Sequence, residues 1–436
     1  MDTIFSILTA VVAEATNPLT AGLAIAVIGL NIHFGLTGLI NFGQAGFMLL
    51  GAYGFAISLR EGVPLPLAVL IGLAAAAVFA LLLGLPTLQL RGDYLAIVTI
   101  SAAEIIRFVG RLSSLQDLTG GALGIRGQFY RGPFVELSPF SQDPADTFTL
   151  FPFTYNDVAD GAQWVRIGSL LVFVVLVVAV VLVFRNARRA GMLARTSGGS
   201  ADATDPVDPA TDVVGPGPVS PADAIFDDAP AKLGSRTVVL LSALGVLAAA
   251  VLFFTVPLTY PQTGANGWWA RLVAWVLVGL CTLLAAALMR SPWGRLLRGI
   301  REDEDAIRSL GRNVFAVKMQ ALVIGGLFGA LGGMVYVIAT TVQPDSLGRQ
   351  TTFLIYTALL LGGLATIFGP VLGSVLFFSV RIFIRETADA YIPDSIMNTQ
   401  ESNSFAFIVV GLILVLLIIF RPQGILGNKK EVSVNV

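Results

Sequence analysis

The sequence predicts an all-α fold: a polytopic helical membrane protein of ten or eleven membrane segments with a disordered cytoplasmic linker. Of its 436 residues, 55% are hydrophobic and 13% charged, about half the charged fraction of a soluble domain. The mean hydropathy is +0.81. Apolar runs near the length needed to cross the hydrocarbon core occur at 18–38, 41–59, 66–88, 94–110, 165–184, 237–258, 268–289, 317–341, 353–368, 371–385 and 404–421. None alternates apolar and polar residues as a barrel strand must, so helices, which satisfy their own backbone hydrogen bonds, are the expected solution.

Taken in order, Met1 to Thr16 has no basic start and contains Asp2 and Glu14. No cleavable signal peptide is therefore expected, and the N-terminus is placed outside. Whether 18–59 crosses once or twice is open, because "LINFGQAGF" interrupts it with Asn41, Gly43 and Gln44. A break that presents polar groups inside a membrane either forms a transporter's site or gate, or hydrogen-bonds neighbouring helices. His33 is expected to be a satisfied buried histidine without a role. Glu104 and Arg107, at i and i+3 in the run 94–110, can pair on one helix face, either structurally or along a substrate pathway. Asp93, beside Arg91, reads as an interface anchor.

Residues 112–164 are expected to be a long extracytoplasmic loop, and 165–184 completes a first helical block within 1–190. Residues 191–236 are rich in Ala, Asp, Pro and Gly and cannot bury enough surface to offset chain entropy. They read as a disordered acidic cytoplasmic linker, with an acidic docking tail as the alternative. A second block covers 237–427. Within it Gly325, Gly329 and Gly333 recur on one helix face, which allows close helix packing. Two short runs meet at "IFGPVLG", where Gly369, Pro370 and Gly373 break the helix. Residues 428–436 are a cytoplasmic tail.

Orientation follows from the basic residues. Arg185 to Arg236, Arg290 to Lys318, and Arg421 to Lys430 hold clusters of Arg and Lys, whereas 259–267 and 386–403 hold none. The positive-inside rule places the clusters, and the C-terminus, in the cytoplasm. Between two of these apolar runs lies "SPWGRLLRGIREDEDAIRSLGRNVFAVK" (291–318). The nine charges of 291–312 would cost on the order of 25 kcal/mol in the bilayer centre, so the segment lies outside the hydrocarbon. Pro292 opens a helical pattern, Ala306, Ile307 and Leu310 form a narrow apolar stripe, and Gly311 ends it. Such a helix suits a groove on another protein, or it is a solvated loop with basic anchors.

Cys281 and His33 are the sole members of their types, which excludes a disulfide framework and a Cys/His metal cluster within one chain. A net charge of −1 gives no sign of a nucleic-acid partner. No G-x-x-x-x-G-K-[ST] phosphate loop occurs, so ATP is not cradled here by that route. One histidine and one cysteine also leave little for a membrane-embedded enzyme to use.

Several blocks resemble, in order, ABC importer permeases of the branched-chain amino acid class, LivM type. They are "GLTGLINFGQAGFMLLGAYGFA", "PTLQLRGDYLAIVTISAAEIIRF", "LTGGALGI", the 291–337 segment, "LLLGGLATIFGPVLGSVL" and "FRPQGILG". Two departures are Ala306-Ile307, where the family has a small-residue doublet, and the inserted linker. The resemblance implies a transport subunit rather than an enzyme. It would pass branched-chain or related amino acids, delivered by an extracytoplasmic solute-binding protein, across the lipid bilayer. It also implies a LivH-like second permease and two cytoplasmic ATPase subunits that hold ATP and Mg, with no cofactor on this chain. The coupling helix, within about 291–316, would dock through Arg301, Glu302, Asp303, Glu304, Asp305, Ala306, Ile307, Arg308 and Gly311. Urea or short amides in the same family, an ion-gradient-driven secondary transporter, and a scaffold subunit are the competing readings.

Overall fold

In the computed structural model Asn17 and Pro18 start the innermost helix. The Asn17 side chain accepts from the Leu19 amide at 3.1 Å, and Pro18 occupies a first-turn position that needs no donor. The residues described are 2–88, 92–137, 148–150, 153–155, 267–393, 397–421 and 423–427. Residues 1–146 and 261–436 form one compact unit and 147–260 another. Of the second, the described part is an antiparallel pair, β1 (Phe148–Leu150) and β2 (Phe153–Tyr155), with Phe148 opposite Tyr155. The expected spans 165–184 and 237–258, the linker 191–236, the tail 428–436 and the Arg91–Asp93 anchor lie outside the described residues or side chains.

The first unit is all helical in its regular elements. In order, α1 is Asp2–Ala15, α2 Pro18–Leu30, α3 Gln44–Arg60, α4 Leu65–Thr87, α5 Gly92–Arg111, α6 Gln116–Thr119 and α7 Gly132–Glu136. After the gap come α8 Trp268–Arg290, α9 Pro292–Glu302, α10 Glu304–Ser309, α11 Val314–Ala339, α12 Arg349–Gly362, α13 Gly369–Tyr391 and α14 Thr399–Phe420. A π-helical turn, Asn31–Leu36, extends α2. Caps explain the ends: Asn313 accepts from Ala316 N at 3.1 Å to start α11, and Asn398 with Glu401 forms a capping box on α14.

Every residue of α2 except Leu19 is buried, so this helix is the axis of the unit, and α11 packs along it. Small residues allow that approach: a Cβ on Gly22 would lie 2.7 Å from the Gly332 carbonyl, and one on Gly29 2.4 Å from that of Gly325. The glycines singled out on α11 all sit in such contacts. A Cβ on Gly325 would meet His33 and the Gly29 carbonyl, on Gly329 the Gln44 amide at 2.7 Å, and on Gly333 the Met48 carbonyl at 2.0 Å. Near the break in 363–368, a Cβ on Gly373 would lie 2.0 Å from Ala358 O and one on Gly369 2.0 Å from Thr366 Oγ1, while Pro370 takes a first-turn position of α13. Leu70, Leu82 and Leu85 of α4, Leu280 and Leu283 of α8, and Ile408, Leu412 and Ile419 of α14 face outward, as a hydrocarbon solvent permits.

Among the described residues, five helices are long and apolar enough to cross a membrane: Pro18–Leu36, Leu65–Thr87, Trp269–Arg290, Val314–Ala339 and Thr399–Leu417. Among the described residues, the other expected runs are shorter or carry charge. Helix α3 has 17 residues and α12 has 14; α5 carries Glu104, Arg107 and Arg111, and α13 carries Arg381, Arg385 and Glu386.

Connections sort to two ends of the unit. At one, Arg271 donates to Ala13 O and Thr16 Oγ1, Arg60 donates to Leu118 O, and Ile125 bridges Val342. At the other, Arg301 reaches Gly35 O, and the amides of Ile425 and Leu426 bond the carbonyls of Leu361 and Gly362 at 3.0 Å. Helix α2 with its π turn therefore runs from the first end to the second and α3 returns, so 18–60 spans the unit twice. The long 112–137 segment is not an open loop. It is built of short turns closed by Tyr130, which is wholly buried and donates to Val337 O at 2.7 Å.

Candidate functional site

The break in the second apolar run is a buried polar knot. After the π turn, Thr37 donates to Ile32 O at 2.8 Å and the Leu39 amide to His33 O at 2.9 Å. Gly38 then takes φ +73°, a left-handed conformation that glycine adopts without steric cost. The Asn41 Oδ1 accepts from Gly43 N at 2.8 Å, which fixes the amide orientation. Its Nδ2 therefore donates to His33 Nδ1 at 3.0 Å and Gln44 Oε1 at 3.4 Å. Because the partner of His33 Nε2 is the Leu322 carbonyl at 3.0 Å, that nitrogen carries the proton. The histidine is thus a neutral strut between Asn41 and α11.

Gln44 completes the knot, donating to Ala26 O at 3.2 Å on α2 and Gly325 O at 3.3 Å on α11. Thr99 accepts from Phe42 N, Thr352 accepts from Ala45 N, both at 3.1 Å, and Tyr356 donates to Asn41 O at 3.0 Å. Asn41 and Gln44 have no solvent exposure. In this conformation they bind α2, α11 and α12 together and line no open channel.

A second break faces the first. The Asn31 side chain donates to Thr366 O and accepts from Ala365 N, each at 2.9 Å. Ala365 holds φ +55°, a left-handed conformation otherwise taken by glycines among the described residues. A single buried amide therefore clamps the 363–368 turn to the start of the π turn, and the unfavourable Ala365 backbone persists because its own N–H and the next carbonyl, that of Thr366, are both pinned.

The charged segment 291–312 lies at the end of the unit that holds these breaks. It is two helices, not one: Asp303 takes an extended conformation (φ −151°, ψ 103°) and its side chain accepts from Asp305 N and Ala306 N at 3.0 Å. An aspartate with three free amides ahead of it is a better cap than a helix-interior residue, which is why the expected single helix breaks there. Ser291 caps α9 by accepting from Gly294 N at 3.3 Å, and Leu297 and Ile300 bury its inner face.

The predicted docking residues divide accordingly. Arg301 points inward, donating to the Gly35 carbonyl, and its stem covers Gly38. Asp303 serves as the cap, and Glu304 pairs with Lys318 and Arg308. Ile307 packs on Gly299. Glu302, Asp305, Ala306, Arg308 and Gly311 remain on the exposed face. Leu310 joins them at 75% exposure, and Gly311 ends the turn at φ +75°.

Glu104 and Arg107 pair at 2.8 Å, and the structure adds Asp345, which bonds Arg107 and, at 3.3 Å, Arg111. This cluster belongs to the end opposite the two breaks. Sequence reading missed Asp345, Asn31, Thr99 and Thr352. Asn31, a lone amide in an apolar run, carried a signal of the same kind as Asn41. The threonines carried none, because threonine is common on any membrane helix.

These features define a multi-pass α-helical membrane protein whose innermost helices break around buried polar groups, with a charged helical elbow tied to one break. The model of the family described as branched-chain amino acid transport system / permease component matches residues 18–207 and 244–418, and the chain belongs to that family. It is 27% identical over 405 residues to the high-affinity branched-chain amino acid transport system permease protein LivM of Escherichia coli K12, covering 92% of this chain and 66% of that protein. The chain thus spans just under two thirds of that relative's length. The probable branched-chain amino acid transport permease protein LivM of Methanocaldococcus jannaschii is 25% identical over 173 residues, 38% of this chain and 49% of its own. BraD of Pseudomonas aeruginosa, a high-affinity branched-chain amino acid transport system permease protein, is 28% identical over 218 residues, 46% of this chain and 67% of its own. No solved structure matches the chain.

Proposed function

We propose that this chain is a transmembrane permease subunit of an ATP-driven importer that passes branched-chain or related amino acids into the cytoplasm. An extracytoplasmic binding protein delivers the substrate, a LivH-like second permease completes the membrane portion, and two cytoplasmic ATPase subunits bind ATP and Mg. The C-terminus and the elbow α9–α10 are cytoplasmic. Support comes from family membership and from one geometric observation: Arg301 of the elbow holds the carbonyl end of the π turn at Gly35.

The mechanism is mechanical. The exposed face of the elbow, Glu302 at the end of α9 with Asp305, Ala306 and Arg308 of α10 and Leu310 just after it, seats in an ATPase groove. Closing of the ATPase pair moves α9–α10 as a body. Arg301 passes that movement to the 31–43 break, and the struts His33, Asn41 and Gln44 pass it to α11. Broken helices rocking between two arrangements give alternating access.

The test is uptake into vesicles that contain the assembled subunits, with leucine outside. Accumulation that needs internal ATP supports the reading. Accumulation driven by a sodium or proton gradient without ATP refutes it, and uptake of urea or acetamide in place of leucine moves the substrate to the short-amide class.

A further inference from the structure

Helix α8 ends at Arg290 and α9 starts at Pro292, with only Ser291 between them. The outward face of α8 carries an exposed stripe of Leu280, Leu283 and Ala287, at i, i+3 and i+7, and exposed Arg290 continues it at i+10. A hydrocarbon solvent accepts that stripe, so Arg290 stands where acyl chains give way to headgroups. Helix α9 extends the boundary. Its Leu297 and Ile300 are buried against the unit, while Arg295, exposed, and Arg298, half-buried, lie three residues apart on one side. Trp293, of a type enriched at membrane interfaces, sits in the first turn and donates its indole N–H to Gln320 Oε1 at 3.0 Å. An amphipathic helix of this kind, directly after a span, lies in the plane of the interface.

The elbow's own charge pairing leaves these arginines out. Glu304 pairs with Arg308 and Lys318, and Asp305 with Arg308. Arg290, Arg295 and Arg298 make no ion pair among the described residues. Glu302 stands at i+4 from Arg298, a spacing that allows a pair on one helix face, and the two do not pair. The Arg298 Nε is buried and has no hydrogen-bond partner among the described residues. A buried donor left unmet is costly unless an acceptor outside the chain satisfies it. Three unpaired cations call for an anionic acceptor, and the apolar stripe that runs up to them calls for one that carries hydrocarbon.

We infer that Arg290, Arg295 and Arg298 hold the phosphate of an anionic phospholipid of the inner leaflet, whose acyl chains lie along the α8 stripe. Guanidinium forks match phosphate oxygens in pairs, and basic clusters directly cytoplasmic of a span attract anionic lipid. A free phosphate gains nothing from the stripe. The inference rests on the cytoplasmic placement of the elbow and goes beyond the importer reading, because it gives the elbow a regulatory ligand: the anionic lipid content of the membrane sets how firmly α9 is held at the surface.

The test measures lipid retained by the full-length chain in detergent, by native mass spectrometry, as phosphatidylglycerol or phosphatidylcholine with the same acyl chains is titrated in. Phosphatidylglycerol should bind at least about tenfold tighter. Arg290→Gln, Arg295→Gln and Arg298→Gln should each lose about fivefold of that binding with the lipid-free unfolding midpoint kept. Arg312→Gln, at an exposed arginine beyond α10, should lose none, and inorganic phosphate at millimolar concentration should displace no lipid. Equal binding of the two lipids, an equal loss in Arg312→Gln, or displacement by inorganic phosphate overturns the inference. So does a triple glutamine variant that keeps its lipid but no longer co-purifies with the ATPase, which would make the patch a protein contact. ATP-driven uptake by the assembled transporter separates the two failures: if uptake persists while the lipid preference is absent, the lipid site alone is wrong.

Discussion

Replacing Arg301 by glutamine separates the elbow from the broken helix while leaving the exposed docking face intact. The guanidinium donates to a carbonyl at the end of a helical turn, where a cation also gains from the helix dipole. A hydrogen bond to a charged group contributes about 1.5–3 kcal/mol, and partial exposure of Arg301 brings that toward about 1–2 kcal/mol. Lost as coupling between elbow and break, this is about a 5- to 30-fold loss. The assay is leucine accumulated per ATP hydrolysed in vesicles holding the complete assembly. Arg301→Gln should keep ATPase co-purification and basal hydrolysis while the transport ratio falls by that factor, and Arg301→Lys should recover part of it. A ratio equal to wild type, or loss of ATPase binding with the ratio intact, refutes the role given to this contact.

Three further substitutions probe the frame. Gly333→Ala places a Cβ 2.0 Å from the Met48 carbonyl and should cost about 1–3 kcal/mol by forcing α11 from α3, read as a lower unfolding midpoint in detergent. Asn41→Leu strands the His33 Nδ1 acceptor and the Gly43 N–H donor and should destabilise by about 2–4 kcal/mol; an unchanged midpoint would show that water replaces the amide. Tyr130→Phe removes a buried hydroxyl whose pKa burial pushes up to about 12. A raised folded value means that its contribution is complete below the unfolded value of about 10 and is lost as pH rises through 12. Wild type should therefore lose stability over that window beyond what Tyr130→Phe loses, and parallel pH profiles contradict it.

The helical fold was legible because apolar length is a one-dimensional property: α2, α4, α8, α11 and α14 follow from runs of Leu, Val, Ile and Ala alone. The break at 37–43 was legible too, since Asn41 and Gln44 are polar where the solvent is not. What the residues bind was not legible. Asn41 contacts His33 eight residues back, Gln44 contacts Gly325, and Asn31 contacts Ala365, pairings fixed by tertiary packing rather than by spacing. The elbow shows the same limit at closer range. Its amphipathic pattern marked a helix, but Asp303 as an internal cap and Arg301 turning inward depend on where Gly35 lies in space. Asp345 was not legible at all, because its partners Arg107 and Arg111 lie more than two hundred residues away and meet it only in space.

The central claim is that the exposed face of α10 is a cytoplasmic seat for a separate ATPase. Cys281 is buried, so Leu310→Cys in a Cys281→Ser background gives a single reactive thiol at an exposed position. Labelled with a membrane-impermeant maleimide, it should react only from the cytoplasmic side and become protected, or cross-link, when the ATPase subunit is present. Labelling from the outer side, or equal labelling from the cytoplasmic side with and without the ATPase, contradicts the account.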